Sequence, residues 1–175
     1  MMKKLLREEE RLLVGKDKPK FLADGMLGSL ARKLRIYGFD VKYDLSYTDR
    51  QLILISKVED RILLTCDKEL HFNALKKGVN SILVNGEDDE DRLVEIFTEL
   101  KLKVEPEISR CPVCNGLLKR VSREEVKTKV YPTVLEKHEI FYLCKNCGKI
   151  YWMGSHWKRL NTLIDNIQKR LNDIS

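Results

Sequence analysis

Between residues 20 and 105 the chain alternates short apolar runs with segments whose apolar positions recur at helical spacing. Residues 20–23 (KFLA) predict a first strand, and residues 27–37 (LGSLARKLRIY) predict a helix closed by Gly38. Residues 39–43 follow as a second strand and residues 49–59 (DRQLILISKVE) as a second helix. The run RILLT at 61–65 reads as a buried strand, and residues 68–77 as a helix ending at Gly78. Residues 79–84 (VNSILV) predict another buried strand. Residues 89–102 (DEDRLVEIFTELKL) predict an amphipathic helix with acids in its first turn, where the helix dipole favours them. Strands and helices in alternation predict an α/β fold, a parallel sheet with helices on its faces.

The pattern changes at Pro106, which marks the expected boundary between a domain at 20–105 and a second unit at 106–175. Residues 1–19 stand outside both as an N-terminal extension. In the second unit VKTKVYPTVL (126–135) and EIFYL (139–143) read as strands. Residues 157–171 read as a closing helix with Leu160, Leu163, Ile164, Ile167 and Leu171 along one face, a stripe suited to core packing. Two Cys-x-x-Cys pairs flank the strands: Cys111 with Cys114, and Cys144 with Cys147. Each pair puts two thiolates on one side of a tight turn, and two such turns complete a tetrahedral sulfur shell for zinc. The same residues would serve as disulfides or as a redox motif, but a disulfide framework belongs to short secreted chains and a redox motif needs no second copy. A zinc ribbon is therefore the expected reading. A closed four-thiolate site holds structure without doing chemistry, so any chemistry belongs to the first domain.

Charged residues make up 34% of the chain and hydrophobic residues 43%, an ordinary soluble composition. No apolar run approaches the roughly 20 residues needed to span a bilayer. The first residues lack the apolar core and cleavage site of a signal peptide. A cytoplasmic, membrane-free protein with reduced cysteines is expected. The net charge of +6 is unevenly spread: residues 20–105 carry 14 Lys+Arg against 16 Asp+Glu, and residues 106–175 carry 13 against 7. A basic tail beside a mildly acidic domain suits a polyanion binder joined to a metal-dependent centre, and a solvated lysine-rich surface would look the same.

Asp24 follows the first strand and Asp67 follows the strand RILLT. In an open parallel sheet the carboxyl ends of the strands share one edge, and ligands bind in the crevice there. Asp49 opens the second helix and would project from the same side, and the acids Glu87, Asp88, Asp89, Glu90 and Asp91 follow the strand SILVN to that edge. Taken singly, Asp49 and Asp67 read as helix N-caps and the 87–91 run as a helix start. Taken together, acids converging on one edge repel one another unless a cation intervenes. Magnesium or manganese, bound by a few carboxylates and water, would resolve the repulsion and activate water against a phosphodiester. Arg32 and Arg35, at i and i+3 on the first helix, are expected to share a face near those metals. His156, Trp157, Lys158 and Arg159 follow the last cysteine pair, and aromatics interleaved with cations suit single-stranded nucleic acid. A small domain also seals its core with tryptophan, which is the expected role of Trp152.

The stretch FLADGMLGSLARKLRIYGFDV, the helix-opening Asp49, and then RILLTCD, RCPVCNG and CKNCGKIYWMGSHWKRL resemble the Mut-seven C-terminal ribonuclease domain family. The resemblance runs from about Phe21 to Leu160 in order. It implies a PIN-like nuclease fold followed by a zinc ribbon, and a metal-dependent ribonuclease whose acids fall on Asp24, Asp49 and Asp67. A fourth acid falls among Asp88 to Asp91. The chain departs from the family at Cys66, where arginine is more usual.

The expectation is therefore a PIN-like α/β domain, a four-cysteine zinc ribbon and a closing helix, hydrolysing RNA with magnesium or manganese at Asp24, Asp49 and Asp67. The rival is a non-catalytic RNA- or ribosome-associated zinc-ribbon protein whose acids are caps. A phospho-acceptor receiver domain is disfavoured, because it needs an acidic pair after the first strand and this one ends Ala23-Asp24-Gly25.

Overall fold

The computed structural model describes residues 18–102 and 109–174, and of residues 155–160 and 174 the backbone alone. The first unit is built from β1 (Lys20–Ala23), α1 (Gly28–Ile36), β2 (Asp40–Tyr43), α2 (Asp49–Glu59), β3 (Ile62–Thr65), α3 (Lys68–Lys76), β4 (Ser81–Leu83) and α4 (Asp89–Glu99). Its four strands are all parallel, in the order β2-β1-β3-β4. The chain leaves β1 to lay β2 on one side, then crosses back to lay β3 on the other. The order therefore reverses between β1 and β3, the place where an open parallel sheet leaves a crevice at its carboxyl edge.

Successive strand residues point to opposite faces, and the core divides accordingly. Phe21, Ala23, Leu64 and Ile82 face α1 and α4 through Leu30, Leu34, Leu93, Ile96 and Phe97. Leu22 and Leu63 face α2 and α3 through Leu52, Ile53, Leu70 and Ala74. Local chemistry sets the helix ends. Thr48 and Gln51 form a capping box before α2, Asp60 closes that helix in the left-handed region at φ 52°, and Asp67 and Asp88 cap α3 and α4.

The second unit holds an antiparallel sheet of β5 (Leu118–Ser122), β6 (Ile140–Cys144) and β7 (Ile150–Trp152), in that order. Here one expectation is corrected. VKTKVYPTVL is not a strand: it spans the end of α5 (Arg123–Val126), a turn, and most of α6 (Pro132–Lys137). A Ser122 and Glu125 capping box starts α5, and Pro132 at the first position of α6 supplies a ready-made helical φ. The valines that suggested a strand cover the sheet instead, Val126, Val130 and Val134 packing with Val121 and Phe141.

The last helix, α7 (Ser155–Ile174), returns to the first unit and packs on α4. Ile164 and Ile167 are buried in the core of the parallel sheet, with Leu163 and Leu171 against it, as the apolar stripe predicts; the Leu160 side chain lies outside the described residues. Ile167→Ala is therefore expected to cost about 2–5 kcal/mol of stability. Urea denaturation followed by circular dichroism measures it, and a cost below about 0.5 kcal/mol would mean that α7 adds nothing to this core. No helix among the described residues is long and apolar enough to cross a membrane.

Candidate functional site

Parallel pairing sets Ala23 beside Leu64, so the next residue on each side, Asp24 just beyond β1 and Thr65 ending β3, meet at the carboxyl edge. The Asp24 amide continues the ladder by donating to the Leu64 carbonyl at 3.0 Å. Thr65 is wholly buried; its hydroxyl donates to Asp24 Oδ2 at 2.8 Å and accepts from the Asp67 amide at 3.0 Å. One side chain thus ties together the two aspartates that follow β1 and β3. Sequence reading passed over Thr65, because a threonine ending a strand carries no signal of its own.

Asp24 Oδ1 accepts from the Gly25 amide at 2.6 Å, and Asp67 Oδ1 accepts from the amides of Glu69 and Leu70. The Tyr43 hydroxyl, at the carboxyl end of β2, donates to the Gly25 carbonyl at 2.9 Å. That approach needs Gly28, where a Cβ would stand 2.6 Å from the same hydroxyl. Asp49 is exposed at the first position of α2, and capping falls to Thr48 instead.

The acids at 88–91 are each engaged. Asp88 caps α4, while Glu90 and Asp91 pair with Arg170 of α7. Asp89 turns toward the first turn of α1, bonding Ser29 and pairing with Lys33 at 2.9 Å and with Arg92 at 3.5 Å. Burial raises its carboxyl, but those partners outweigh it and hold the group below the ordinary range. Asn85, Glu87, Asp91, Glu95 and Arg170 line a shallow cleft of about 700 Å³ at the end of β4. Cys66 is half-buried; burial pushes its thiol up while the nearby Arg92 pulls the other way.

Arg32 and Arg35 do not share an exposed face. Arg32 is exposed, whereas Arg35 is 5% exposed and its guanidinium donates to three backbone carbonyls, those of Val41, Pro112 and Val113. Arg35 thus has its Nε and Nη1 donors engaged with backbone inside the protein, and among the described residues Arg32 does not. The side chains of His156, Trp157, Lys158 and Arg159 lie outside the described residues. Trp152 does not seal the core as expected: its ring stands 6.3 Å from that of Phe141 but the residue is exposed.

The cysteines behave differently from the aspartates. All four Sγ atoms lie within 4.8 Å of one another, with Cys114 and Cys144 at 3.4 Å and Cys111 and Cys147 at 3.7 Å. Corners of a tetrahedron with Zn–S of about 2.3 Å stand about 3.8 Å apart, so the cluster has the size of a zinc shell. Asn115 and Gly148 follow the two turns in the left-handed region, at φ 64° and 71°, and their amides close back on the carbonyls of Cys111 and Cys144. Burial opposes ionisation of Cys111, yet the Tyr151 hydroxyl 3.0 Å away and the amides of Val113 and Cys114 hold its thiol below the usual range. Burial pushes the neighbouring Cys114 up. Sulfurs this close cannot all ionise without a cation, and their softness selects zinc over magnesium. Among the described residues no such group forms from the aspartates: Asp24, Asp49 and Asp67 do not converge as the cysteines do.

The fold and its two sites define an α/β protein with strand-end aspartates at its switch point, joined to a four-cysteine, metal-sized cluster. The chain belongs to the Mut7-C RNAse domain family, whose model matches residues 19–164 and so takes in the sheet, the cysteine cluster and the start of α7. No curated protein and no solved structure matches it. Membership in an RNase domain family indicates a nuclease-type hydrolase with RNA as its substrate.

Proposed function

We propose that this chain hydrolyses RNA phosphodiester bonds at the carboxyl edge of its sheet, with a PIN-like arrangement of Asp24, Asp49 and Asp67 holding one or two magnesium or manganese ions. The observation that carries the reading is Thr65, a buried hydroxyl bonded to both strand-end aspartate segments at the switch point. The donor set is made of hard carboxylate oxygens, which suits magnesium or manganese. Such an ion lowers the pKa of bound water and neutralises charge on the phosphoryl group. Asp67 keeps Oδ2 outside its cap bonds, and Asp24 is oriented by bonds to both of its oxygens. Asp89 is the best candidate for a fourth acid, since it alone of the four turns toward the start of α1. Arg32 is exposed on that helix and is the cation left to meet substrate, with Arg92 near Cys66 where the family more often has arginine. Zinc at Cys111, Cys114, Cys144 and Cys147 would have a structural part.

The test is manganese-dependent cleavage of single-stranded RNA. A second reading, an RNA-binding zinc-ribbon protein without activity, draws on the cap bonds of Asp67 and on the spread of the three acids. Binding of RNA with no metal-dependent cleavage would favour it.

His156, Trp157, Lys158 and Arg159 are proposed to grip the RNA backbone and bases. Changing Lys158→Ala with Arg159→Ala is expected to weaken RNA binding and lower its salt slope by about 1.4, at roughly 0.7 per single-strand phosphate contact. The rate at saturating RNA should hold, because these cations would bind ground and transition states alike. An unchanged salt slope in a filter-binding titration would remove them from the interface.

A further inference from the structure

β2 is an edge strand of the parallel sheet, and an edge strand presents backbone groups that need partners. At Val41 those partners come from the first cysteine turn and from one arginine. The Val41 amide donates to Asn115 Oδ1 at 3.1 Å, and the Val41 carbonyl accepts from Arg35 Nε at 2.9 Å. Each of the two side chains also reaches back. Asn115 directly follows Cys114, its own amide closes the turn onto Cys111, and its Nδ2 donates to Asp40 Oδ1 at 2.8 Å. Arg35 Nη1 donates at 3.0 Å to the carbonyls of Pro112 and Val113, the two residues between the cysteines of the first pair. Arg110, just before that pair, adds an ion pair from Nη2 to Asp40 Oδ2 at 3.3 Å.

Burying a guanidinium is costly unless its donors are satisfied and a counter-charge is near. Four thiolates around a divalent ion leave a net negative charge, and the buried Arg35 stands beside the first pair. The contacts therefore fit a metal-loaded turn better than a metal-free one. Two carbonyls inside the turn can both face Nη1 only while the turn keeps its shape, and that shape is what metal ligation enforces.

Resting on the zinc reading above, we infer that the four-cysteine site is a metal-dependent clasp on the sheet edge. Arg35 and Asn115 are its positioning residues, so that metal binding and docking of the turn onto β2 form one linked equilibrium. Linkage is reciprocal: whatever factor docking adds to zinc affinity, zinc adds to docking. The clasp engages the amino end of the sheet, since Val41 pairs with Phe21 and the proposed aspartates lie beyond the other end.

The test uses the full chain and two variants. Arg35→Met removes the fork, and Asn115→Gly removes the amide while keeping a residue at ease at φ 64°. Zinc affinity, measured by competition with a chromophoric chelator, is expected to weaken by about 10–100-fold in each, the range for loss of an outer-shell partner. The metal dependence of hydrogen exchange at the Val41 amide is the reading that a merely structural residue would not give. Exchange should be slow in the zinc-loaded chain, fast after chelation, and fast in Asn115→Gly even with zinc bound. If Arg35→Met fails to fold, Asn115→Gly carries the test alone. Unchanged zinc affinity in the variants, or a Val41 amide equally protected with and without metal, overturns the clasp and leaves the zinc site standing. A native chain that binds no zinc overturns both.

Discussion

Asp24→Asn and Asp67→Asn are each expected to abolish RNA cleavage, by 100-fold or more on the scale of losing a group that stabilises transition-state charge. Both changes keep side-chain size and remove the negative charge that a divalent ion requires. Stability should move little. At position 67 the Asn oxygen can still accept from the Glu69 and Leu70 amides, and Asn caps about as well as Asp. At position 24 the Thr65 hydroxyl can rotate to accept from the new amide, so the cost is about 1 kcal/mol, one net hydrogen bond. Cleavage of a labelled RNA in manganese, beside a melting curve for each variant, reads both quantities. Normal cleavage by both variants would return these aspartates to the role of helix caps. Lost cleavage with a collapsed melting curve would show folding rather than chemistry.

Stripping the metal from the cysteine cluster is the second large effect, and it should unfold the ribbon. The ribbon's own core is Val121, Val126 and Phe141, buried, with the half-buried Val130, Val134, Leu135, Leu143 and Ile150 against them, a small apolar surface for a unit of this size. Structural zinc contributes about 10–16 kcal/mol of apparent binding free energy in small zinc-binding peptides, so the metal would dominate ribbon stability. Elemental analysis of chain purified without added metal should find about one zinc per chain, the number that four thiolates hold. On chelation, dispersed NMR signals from residues 118–152 should be lost, while the parallel sheet, with its two larger cores, stays folded. Ribbon signals that survive chelation, or cysteines recovered as disulfides, would rule out a metal-held ribbon.

Much of this was legible along the chain because its causes are local. Apolar runs of four or five residues between helical stretches marked β1, β2 and β3, and the helix 49–59 begins and ends where its periodicity says. The spacing of the cysteine pairs was enough to anticipate a cluster whose sulfurs converge, because each pair makes its own turn. The family resemblance drew on the same short motifs, and the family match bears it out. Where local signals competed, the reading went wrong: the β-branched residues of 126–135 suggested a strand, but a capping box and Pro132 started helices there.

What the chain alone left open depends on partners distant in sequence. Thr65 acquires its place only because parallel pairing in register brings Ala23 beside Leu64 and so Asp24 beside Thr65. Arg32 and Arg35 look alike on a helical wheel, and it is the cysteine turn arriving over β2 that buries one and leaves the other in water. Nothing in the stripe of α7 says which surface it covers; its packing against α4 of the first unit, distant in sequence, decides that. Periodicity reports which side of an element is buried. Which polar group a buried donor or acceptor meets is decided by the assembled fold, because desolvation forces each one to find a partner wherever the chain happens to bring it.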